Sequence, residues 1–294
     1  MNIAIKKNNL FLGFKDFIFP GGEVGIKLDN NYKYQWEKAE YQTIIARIQN
    51  SEDLISLAMV KDALQEFDKT PINLFLAYVP YGRQDRICDK GEAFSLKIFV
   101  KFIASLNFNL VTIVDPHSEV TPAIFKTLNV PLRVITQFDV INKYLDFTNA
   151  NRSCILVSPD AGSNKKTAEI AKYFEHNEFI RADKLRDLTN GNIKETIVYC
   201  DDFKGRDVLV CDDICDGGRT FLELAKVCKT KNCGKFILYV THGIFSKGLK
   251  ILYENGIDEI FTTNSFRWKT DQEHLKFEEK INILNLEERF VELL

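Results

Sequence analysis

Three carboxylates and a pair of glycines lie close together in the segment Val208–Thr220, whose sequence is Val-Leu-Val-Cys-Asp-Asp-Ile-Cys-Asp-Gly-Gly-Arg-Thr. Adjacent acids such as Asp212 and Asp213 can hold the hydroxyls of a sugar or lie beside a metal ion. Gly217 and Gly218 let the backbone approach an anion without Cβ clashes. The helix predicted to follow directs its positive end at that anion. An acidic pair alone more often marks a solvated loop, but the preceding apolar strand and the following glycines favour a ribose-phosphate pocket.

Cationic side chains form a second group of candidates. Arg83 can pair with phosphate or stack on a base, and Gln84 can bind base edges. Lys184 and Arg186 lie in the polar stretch 181–192, which predicts a mobile loop. A closing loop that carries Lys and Arg suits phosphoryl transfer, because negative charge spreads over the transferred group. Taken alone, each pair is more simply read as a solvated surface cluster.

Two further residues are candidate metal ligands. His117 follows a predicted strand and can bind a metal or a phosphate, although a lone histidine is more often structural. Asp160, in Ser158-Pro-Asp-Ala-Gly162, offers an oxygen ligand to Mg²⁺ and can equally cap a helix. The segment Gly162–Thr167 lacks the spacing and the Gly-Lys-Ser/Thr ending of a Walker A loop, and no GxGxxG motif occurs. Any ATP site is therefore of another kind.

Short apolar runs alternate with amphipathic segments, and these predict the elements that position the candidates. The predicted strands are Asn73–Val79, Leu110–Val114, Cys154–Val157, Val208–Cys211, Phe236–Val240 and Glu259–Phe261. The predicted helices are Ala93–Leu106, Lys165–Phe174 and Phe221–Cys228. Alternating strands and helices indicate α/β architecture, with parallel sheets covered on both faces.

Polar residues follow five of the six predicted strands, on the side where parallel sheets bind ligands. These segments are Pro80-Tyr-Gly-Arg-Gln-Asp85, Asp115-Pro-His-Ser-Glu119, Ser158-Pro-Asp-Ala-Gly162, Asp212-Asp213 and Thr241-His-Gly243. Chance could place one or two polar segments at strand ends, but five are harder to explain in that way. The five segments are therefore expected to form ligand sites.

The run Val130–Ala150 is interpreted as a crossover between two halves. We therefore expect an N-terminal α/β domain of residues 1–138 and a C-terminal α/β domain of residues 139–294. The final segment, Ile281–Leu294, has apolar residues at helical spacing. It predicts a last helix that packs on the N-terminal domain.

Composition narrows the class of protein. A chain of 294 residues with 45% hydrophobic and 27% charged residues is typical of a globular protein. A net charge of −2 provides no basic field for nucleic acid, and no apolar run is long enough for a membrane span. The N-terminus lacks the parts of a signal peptide, so a cytoplasmic protein is expected. Seven cysteines without a CxxC pair are expected to be structural thiols.

Together the segments resemble the ribose-phosphate diphosphokinases (phosphoribosyl diphosphate synthetases) over nearly the whole chain, in the family's order. The matching segments are Phe19-Pro-Gly-Gly-Glu23, Tyr81-Gly-Arg-Gln-Asp85, Asp115-Pro-His-Ser-Glu119, Ser158-Pro-Asp-Ala-Gly162, Lys184-Leu-Arg186, the acidic loop, Thr241–Ser246 and Thr262–Asn264. The acidic loop alone also resembles type I phosphoribosyltransferases. The order of the other segments distinguishes the two families.

The resemblance implies two phosphoribosyltransferase-like domains, each a mainly parallel sheet flanked by helices. It implies transfer of the diphosphate of ATP to the C1 hydroxyl of ribose 5-phosphate, which gives AMP and a precursor of nucleotide biosynthesis. Mg²⁺ is the implied cofactor, held by His117 and Asp160, and Lys184 and Arg186 are the implied catalytic residues. The implied ATP-binding residues are Phe19, Gly21, Gly22, Glu23, Arg83 and Gln84. The implied ribose 5-phosphate residues are Arg186, Asp212, Asp213, Asp216, Gly217, Gly218, Arg219 and Thr220.

The resemblance also implies a homo-oligomer built from dimers, with a hexamer as one form, because Phe19 and Glu23 contact the adenine of a neighbouring subunit. Three residues depart from the family pattern. Gly217 replaces a threonine and removes a phosphate donor, whereas Arg219 replaces a glycine and offers a charge-assisted one. Gly21 replaces an aspartate beside the adenine, which loosens base selectivity.

Two alternatives stay open at this point. A type I phosphoribosyltransferase uses the same loop to bind the diphosphate ester; the Arg83-Gln84 pair and the Lys184-x-Arg186 motif argue against it. A catalytically silent regulatory homologue is the second alternative. The presence of Lys184, Arg186, His117 and Asp160 argues against that one.

Overall fold

The computed structural model describes residues 2–7, 10–29, 39–67, 69–176, 179–186, 193–267 and 280–290. The side chains of residues 145, 146, 185, 186, 193 and 194 lie outside this description. The chain divides into two compact units, residues 1–136 with 290–294, and residues 137–289. No helix in the described ranges is long and apolar enough to cross a membrane.

The first unit contains a mixed sheet and a separate hairpin. Its strands are β1 (Ile3–Lys7), β2 (Leu10–Leu12), β3 (Phe14–Ile18), β4 (Val24–Leu28), β5 (Gln42–Arg47), β6 (Ile72–Tyr78), β7 (Leu110–Val114) and β8 (Leu132–Ile135). Its helices are α1 (Ser51–Phe67), α2 (Ser95–Ser105) and α3 (Val120–Thr127). Among the described residues the strand order is β2-β1-β5-β6-β7-β8, with β5 to β8 parallel and β1 antiparallel to both neighbours. Strands β3 and β4 form the antiparallel hairpin.

Burial explains why these strands have apolar runs rather than alternating patterns. Every residue of β5 is buried, as are the first six residues of β6. Helices on the faces of a parallel sheet remove both sides of the strands from water. Helix α2 contributes Leu96, Phe99, Val100 and Ile103, the spacing of one helical face.

The second unit is built on a longer, mainly parallel sheet. Its strands are β9 (Ile155–Ser158), β10 (Ile180–Arg186), β11 (Ile193–Val198), β12 (Val208–Cys215), β13 (Phe236–Gly243), β14 (Glu259–Thr263) and β15 (Ile281–Leu284). Its helices are α4 (Gln137–Lys143), α5 (Leu145–Asn151), α6 (Asn164–Tyr173), α7 (Arg219–Thr230), α8 (Lys250–Glu254) and α9 (Leu286–Arg289), with a 3₁₀ turn at Ala161–Ser163. Among the described residues the strand order is β11-β10-β9-β12-β13-β14-β15. Only β10 and β11 pair antiparallel in this sheet as described.

The α/β class predicted from the sequence is confirmed, since both units carry mainly parallel strands flanked by helices. The predicted strand Leu110–Val114 has the predicted bounds. The strand predicted to end at Cys211 continues as β12 to Cys215, so the acidic pair lies inside the strand.

Two local predictions are wrong. Residues 181–186 were expected in a mobile loop, but they belong to β10, which pairs with β9 on one side and β11 on the other. Residues 187–192 of that stretch lie outside the described residues. The helix predicted from Ile281 begins instead as β15, which pairs with β14, and helical structure starts at Leu286. Residues 291–294 lie outside the described residues.

Candidate functional site

The carboxyl ends of β9, β12 and β13 form the centre of the candidate site in the second unit. The three strands are neighbours in the order β9-β12-β13. Strand β12 pairs with β9 only as far as Val210, and it continues beside β13 to Cys215. Asp212 therefore lies beyond the last residue of β9 that pairs with β12. There it meets the turn that follows β9.

A polar network joins three residues that the sequence assigned to different roles. Lys184 Nζ donates to Asp160 Oδ2 at 2.7 Å. The amide and hydroxyl of Ser163 lie 3.1 and 3.2 Å from Asp160 Oδ1. Ser163 Oγ also lies 3.2 Å from Asp212 Oδ1, and its single proton is donated to one carboxylate at a time. The network thus runs from Lys184 through Asp160 and Ser163 to Asp212.

Asp160 has a structural part in this network. It precedes the 3₁₀ turn in extended conformation, and its side chain accepts from the Ser163 amide as an N-cap. Burial opposes ionisation of Asp160, but the Lys184 ammonium and the Ser163 donors outweigh burial and lower the pKa of this carboxyl. Asp160 is therefore ionised at neutral pH, with about a third of its side chain exposed (35%).

Asp212 has the opposite electrostatic character. Burial, followed by the negative charges of Asp213 and Asp160, raises the pKa of Asp212 well above its ordinary value. Three carboxylates so close together favour a ligand that brings positive charge or donates hydroxyl hydrogen bonds. A sugar diol and a divalent cation both meet that requirement.

The loop between β12 and α7 has the geometry of an anion cradle. Gly218 has φ +75°, the left-handed region that favours glycine, and a Cβ at this position would collide with Leu252 Cδ2. Helix α7 begins at Arg219, two residues before the predicted start at Phe221, and runs for 12 residues. Its positive end therefore lies directly after Asp216 and the two glycines. Gly217 has a different surrounding, because the three atoms nearest to a Cβ there would all belong to the side chain of Lys247, the nearest at 3.4 Å.

The segment after β13 packs on this cradle. The amides of Ile244 and Phe245 both donate to the carbonyl of Cys215, at 2.8 and 3.0 Å. The Lys247 side chain then passes Gly217, where a Cβ would lie 3.4 Å from Lys247 Cε. Sequence reasoning did not find Lys247. The available signal was its position directly after the segment Thr241–Ser246, which the sequence had already marked as a candidate ligand-site segment.

Buried hydroxyls hold the ends of β13 and β14 together. Thr263 Oγ1 and Ser265 Oγ donate to the carbonyl of Thr241, at 2.7 and 3.0 Å. His242 Nδ1 lies 2.8 Å from Ser265 Oγ, and the Gly243 amide donates to Thr262 Oγ1. These bonds fix the strand end from which the segment of Lys247 departs.

The first unit brings Arg83, Gln84 and His117 together. A cavity of about 510 Å³ lies between the loop after β6 and the loop after β7, and these three side chains line it. Gly82 approaches His117 closely, since a Cβ at Gly82 would lie 3.5 Å from the His117 Cβ. Ser118 Oγ donates to Asp85 Oδ2 at 2.6 Å and ties the two loops together. The cavity is large enough for a small ligand.

The other nucleotide candidates lie elsewhere in the first unit. The turn of the β3–β4 hairpin contains Phe19, Gly21, Gly22 and Glu23. The Phe19 amide donates to the Glu23 carbonyl at 2.8 Å and closes this turn. Phe19 is exposed and packs edge-on against Phe17, with ring centroids 5.1 Å apart. These residues do not line the cavity of Arg83. Their exposure is suited to contact with a second molecule.

The remaining predicted residues lie in different units and elements. His117 belongs to the first unit and Asp160 to the second. Among the described residues, no group of three or more His, Cys, Asp or Glu side chains is placed to hold a metal ion. Arg186 ends β10 with its backbone opposite Ile193, and its side chain lies outside the described residues. Thr220 lies in the first turn of α7, and Asp213 is buried in β12.

Comparison with known proteins gives consistent results. The family model described as the phosphoribosyl synthetase-associated domain matches residues 154–287. A ribose-phosphate pyrophosphokinase of Mycoplasmopsis pulmonis is 28% identical over 238 residues, which cover 80% of this chain and 71% of that protein. A ribose-phosphate pyrophosphokinase of Pyrococcus furiosus is 25% identical and covers 90% of this chain and 86% of that protein.

One solved structure supports the fold. A phosphoribosylpyrophosphate synthetase from Mycobacterium smegmatis superposes with a TM-score of 0.77 at 18% sequence identity. The match covers 97% of this chain and 90% of that one. Over the matched length the chain therefore has the fold of that synthetase.

Proposed function

We propose that this chain, which is similar to the ribose-phosphate pyrophosphokinases, transfers the β,γ-diphosphate of ATP to the C1 hydroxyl of ribose 5-phosphate. The products are phosphoribosyl diphosphate and AMP. The observation that carries the proposal is the Lys184–Asp160–Ser163–Asp212 network beside the glycine loop. It combines a cation for the transferred group, acceptors for sugar hydroxyls and a cradle for the 5-phosphate.

The sugar phosphate binds at the end of β12 in this proposal. Asp212 accepts hydrogen bonds from ribose hydroxyls, which suits a carboxylate already crowded by Asp213 and Asp160. The 5-phosphate lies at the start of α7, where backbone amides and the helix dipole favour an anion. The residues around the 5-phosphate are Asp216, Gly217, Gly218, Arg219 and Thr220. The left-handed Gly218 supports this arrangement because it lets the chain turn directly into the helix.

Lys184 and Arg186 act on the transferred diphosphate. The C1 oxygen attacks the β-phosphorus and releases its hydroxyl proton to solvent, the bond between that phosphorus and the α,β-bridging oxygen breaks, and AMP leaves. Negative charge on the β-phosphoryl oxygens is stabilised by Lys184, which β10 carries beside the end of β9. The Lys184 side chain is only 7% exposed, so its charge acts where water screens it weakly. Arg186, two residues further along the same strand, supplies the second cation.

ATP binds through the first unit. Arg83 and Gln84 line the cavity there, with guanidinium and amide groups that suit phosphate and base. The exposed hairpin turn with Phe19, Gly21, Gly22 and Glu23 contacts the adenine of a neighbouring subunit. This arrangement makes a homo-oligomer part of the proposal.

Mg²⁺ is the proposed cofactor, and its proposed ligands are Asp160 in the second unit and His117 in the first, each within its own unit. The ionised, partly exposed oxygens of Asp160 fit a hard divalent cation, and the His117 imidazole lines the nucleotide cavity. When bound, the ion neutralises charge on the phosphate groups of ATP. A cytoplasmic location, where ATP and Mg²⁺ are available, completes the proposal.

The proposal is tested by incubating the protein with ATP, Mg²⁺ and ribose 5-phosphate and separating the nucleotides by chromatography. The expected result is AMP, formed only when the sugar phosphate is present. ADP formation would indicate a simple kinase and contradict the proposal. Lack of turnover with nucleotide still bound would favour a silent regulatory subunit.

A further inference from the structure

The cradle between β12 and α7 has a neighbouring cation that the proposed function did not use. Lys247 follows β13 and is exposed. Its segment is fixed to the cradle, because the amides of Ile244 and Phe245 share the carbonyl of Cys215 as acceptor. The Gly248 amide donates to the Phe245 carbonyl at 2.8 Å and closes the turn around Lys247. The backbone position of Lys247 is therefore set by hydrogen bonds.

The Lys247 side chain follows the surface of Gly217. A Cβ at Gly217 would lie 3.8, 3.5 and 3.4 Å from Cγ, Cδ and Cε of Lys247. The aliphatic part of the Lys247 side chain therefore lies along Gly217, and the ammonium is no nearer to this position than Cγ. Glycine at position 217 leaves this path open, since a branched side chain there would occupy the same space. The Lys247 ammonium, one bond beyond Cε, consequently lies beside the loop.

Charge makes a phosphate the suitable ligand for this ammonium. Within the described part of the chain, Lys247 has no hydrogen bond or ion pair. The cradle itself carries Asp216, and Asp212 lies four residues earlier in β12. A phosphate dianion held next to those carboxylates requires compensating cations, and a lysine ammonium provides one as a mobile point charge.

We propose that Lys247 binds the 5-phosphate of ribose 5-phosphate and makes the site selective for a phosphorylated sugar. This inference rests on the proposed function. Gly217 contributes to this binding because it has no side chain and leaves room for Lys247 over the loop. The ligand class is a pentose phosphomonoester, and an unphosphorylated pentose gains nothing from Lys247.

The test compares Lys247→Met, which keeps the length of the side chain without its charge, with Lys247→Arg, which keeps the charge. Lys250→Met is the matched control, because Lys250 is exposed nearby on α8 and lies 4.0 Å from Glu254. We expect Lys247→Met to raise KM for ribose 5-phosphate about tenfold, as for loss of a charge-assisted hydrogen bond. KM for ATP and kcat stay unchanged, and Lys247→Arg recovers most of the affinity.

Direct binding separates failure of this inference from failure of the proposed function. Calorimetry measures the affinity of each variant for ribose 5-phosphate, for inorganic phosphate and for ribose. Equal affinities for ribose 5-phosphate in the wild type and Lys247→Met would overturn the inference, even if the wild type makes AMP and the diphosphate ester. A wild type without turnover would overturn the proposed function, whereas selective loss of phosphate binding in Lys247→Met would still support Lys247 as an anion-binding residue.

Discussion

Gly218→Ala tests whether the loop geometry is set by glycine, with Gly217→Ala as its matched neighbour. At Gly218 the new methyl group forces an L-residue to keep φ +75°, which costs about 1–2 kcal/mol. It also collides with Leu252, which is buried at 2% exposure and has little room to move, and such overpacking costs about 1–3 kcal/mol. The expected loss of unfolding free energy is therefore about 2–5 kcal/mol. At Gly217 the methyl group makes an ordinary contact with Lys247, so the expected change is within about 0.5 kcal/mol.

The assay is urea unfolding followed by circular dichroism, together with calorimetric melting. For a domain of about this size, 1 kcal/mol corresponds to about 2–4 °C, so the transition of the second unit should fall by about 4–20 °C in Gly218→Ala. The Gly218→Ala protein that still folds should also bind ribose 5-phosphate more weakly, because α7 can no longer begin at the same point. Equal melting of the two variants would refute the reasoning. So would a larger loss in Gly217→Ala.

Three further predictions concern charge and reactivity. Lys184→Met should lower kcat about 100-fold or more while the Kd for ribose 5-phosphate changes much less, measured by single turnover and calorimetry; unchanged kcat would refute its role. Arg219→Gly should raise KM for ribose 5-phosphate several-fold if its guanidinium meets the 5-phosphate, and an unaltered KM would place that group elsewhere. At pH 8, iodoacetamide should modify exposed Cys88 before Cys154 or Cys228, as read by mass spectrometry. Burial raises the pKa of the Cys154 and Cys228 thiols to about 11 and about 12, so the reactive thiolate is a minor form of both at pH 8. ATP should protect Cys88, which lines the nucleotide cavity, and early modification of Cys228 would contradict the burial argument.

The strands best predicted from the sequence are those whose burial is visible in their own residues. Leu110–Val114 is an uninterrupted apolar run, and the structure has β7 over the same residues. Strand β12 was predicted too short because two acids follow Cys211, whereas pairing with β13 extends the strand to Cys215. Strand β10 was missed because four of its seven residues are charged. Its structure comes from pairing with β9 and β11, which is not local in sequence.

In the candidate site, too, local sequence identifies single residues, whereas their arrangement depends on contacts between distant strands. Lys184, Asp160 and Asp212 were each identified by type and by neighbouring residues, yet their joining in one network depends on the strand order β10-β9-β12. No pattern in the sequence specifies that order. Ser163 was missed although it stands three residues after Asp160, the spacing of a capping bond. Lys247 was missed because it reaches the loop from a different strand.

The most direct test of the proposed reaction is to follow an oxygen label from the C1 hydroxyl of ribose 5-phosphate. The protein is incubated with Mg²⁺, ATP and ribose 5-phosphate carrying ¹⁸O at C1, and the products are analysed by phosphorus NMR and mass spectrometry. Attack of the C1 oxygen on the β-phosphorus predicts that the label bridges C1 and the diphosphate of the new ester, while AMP is unlabelled. Label in AMP, or an unlabelled ester formed while the remaining ribose 5-phosphate still carries ¹⁸O at C1, would contradict transfer of the diphosphate to the C1 hydroxyl.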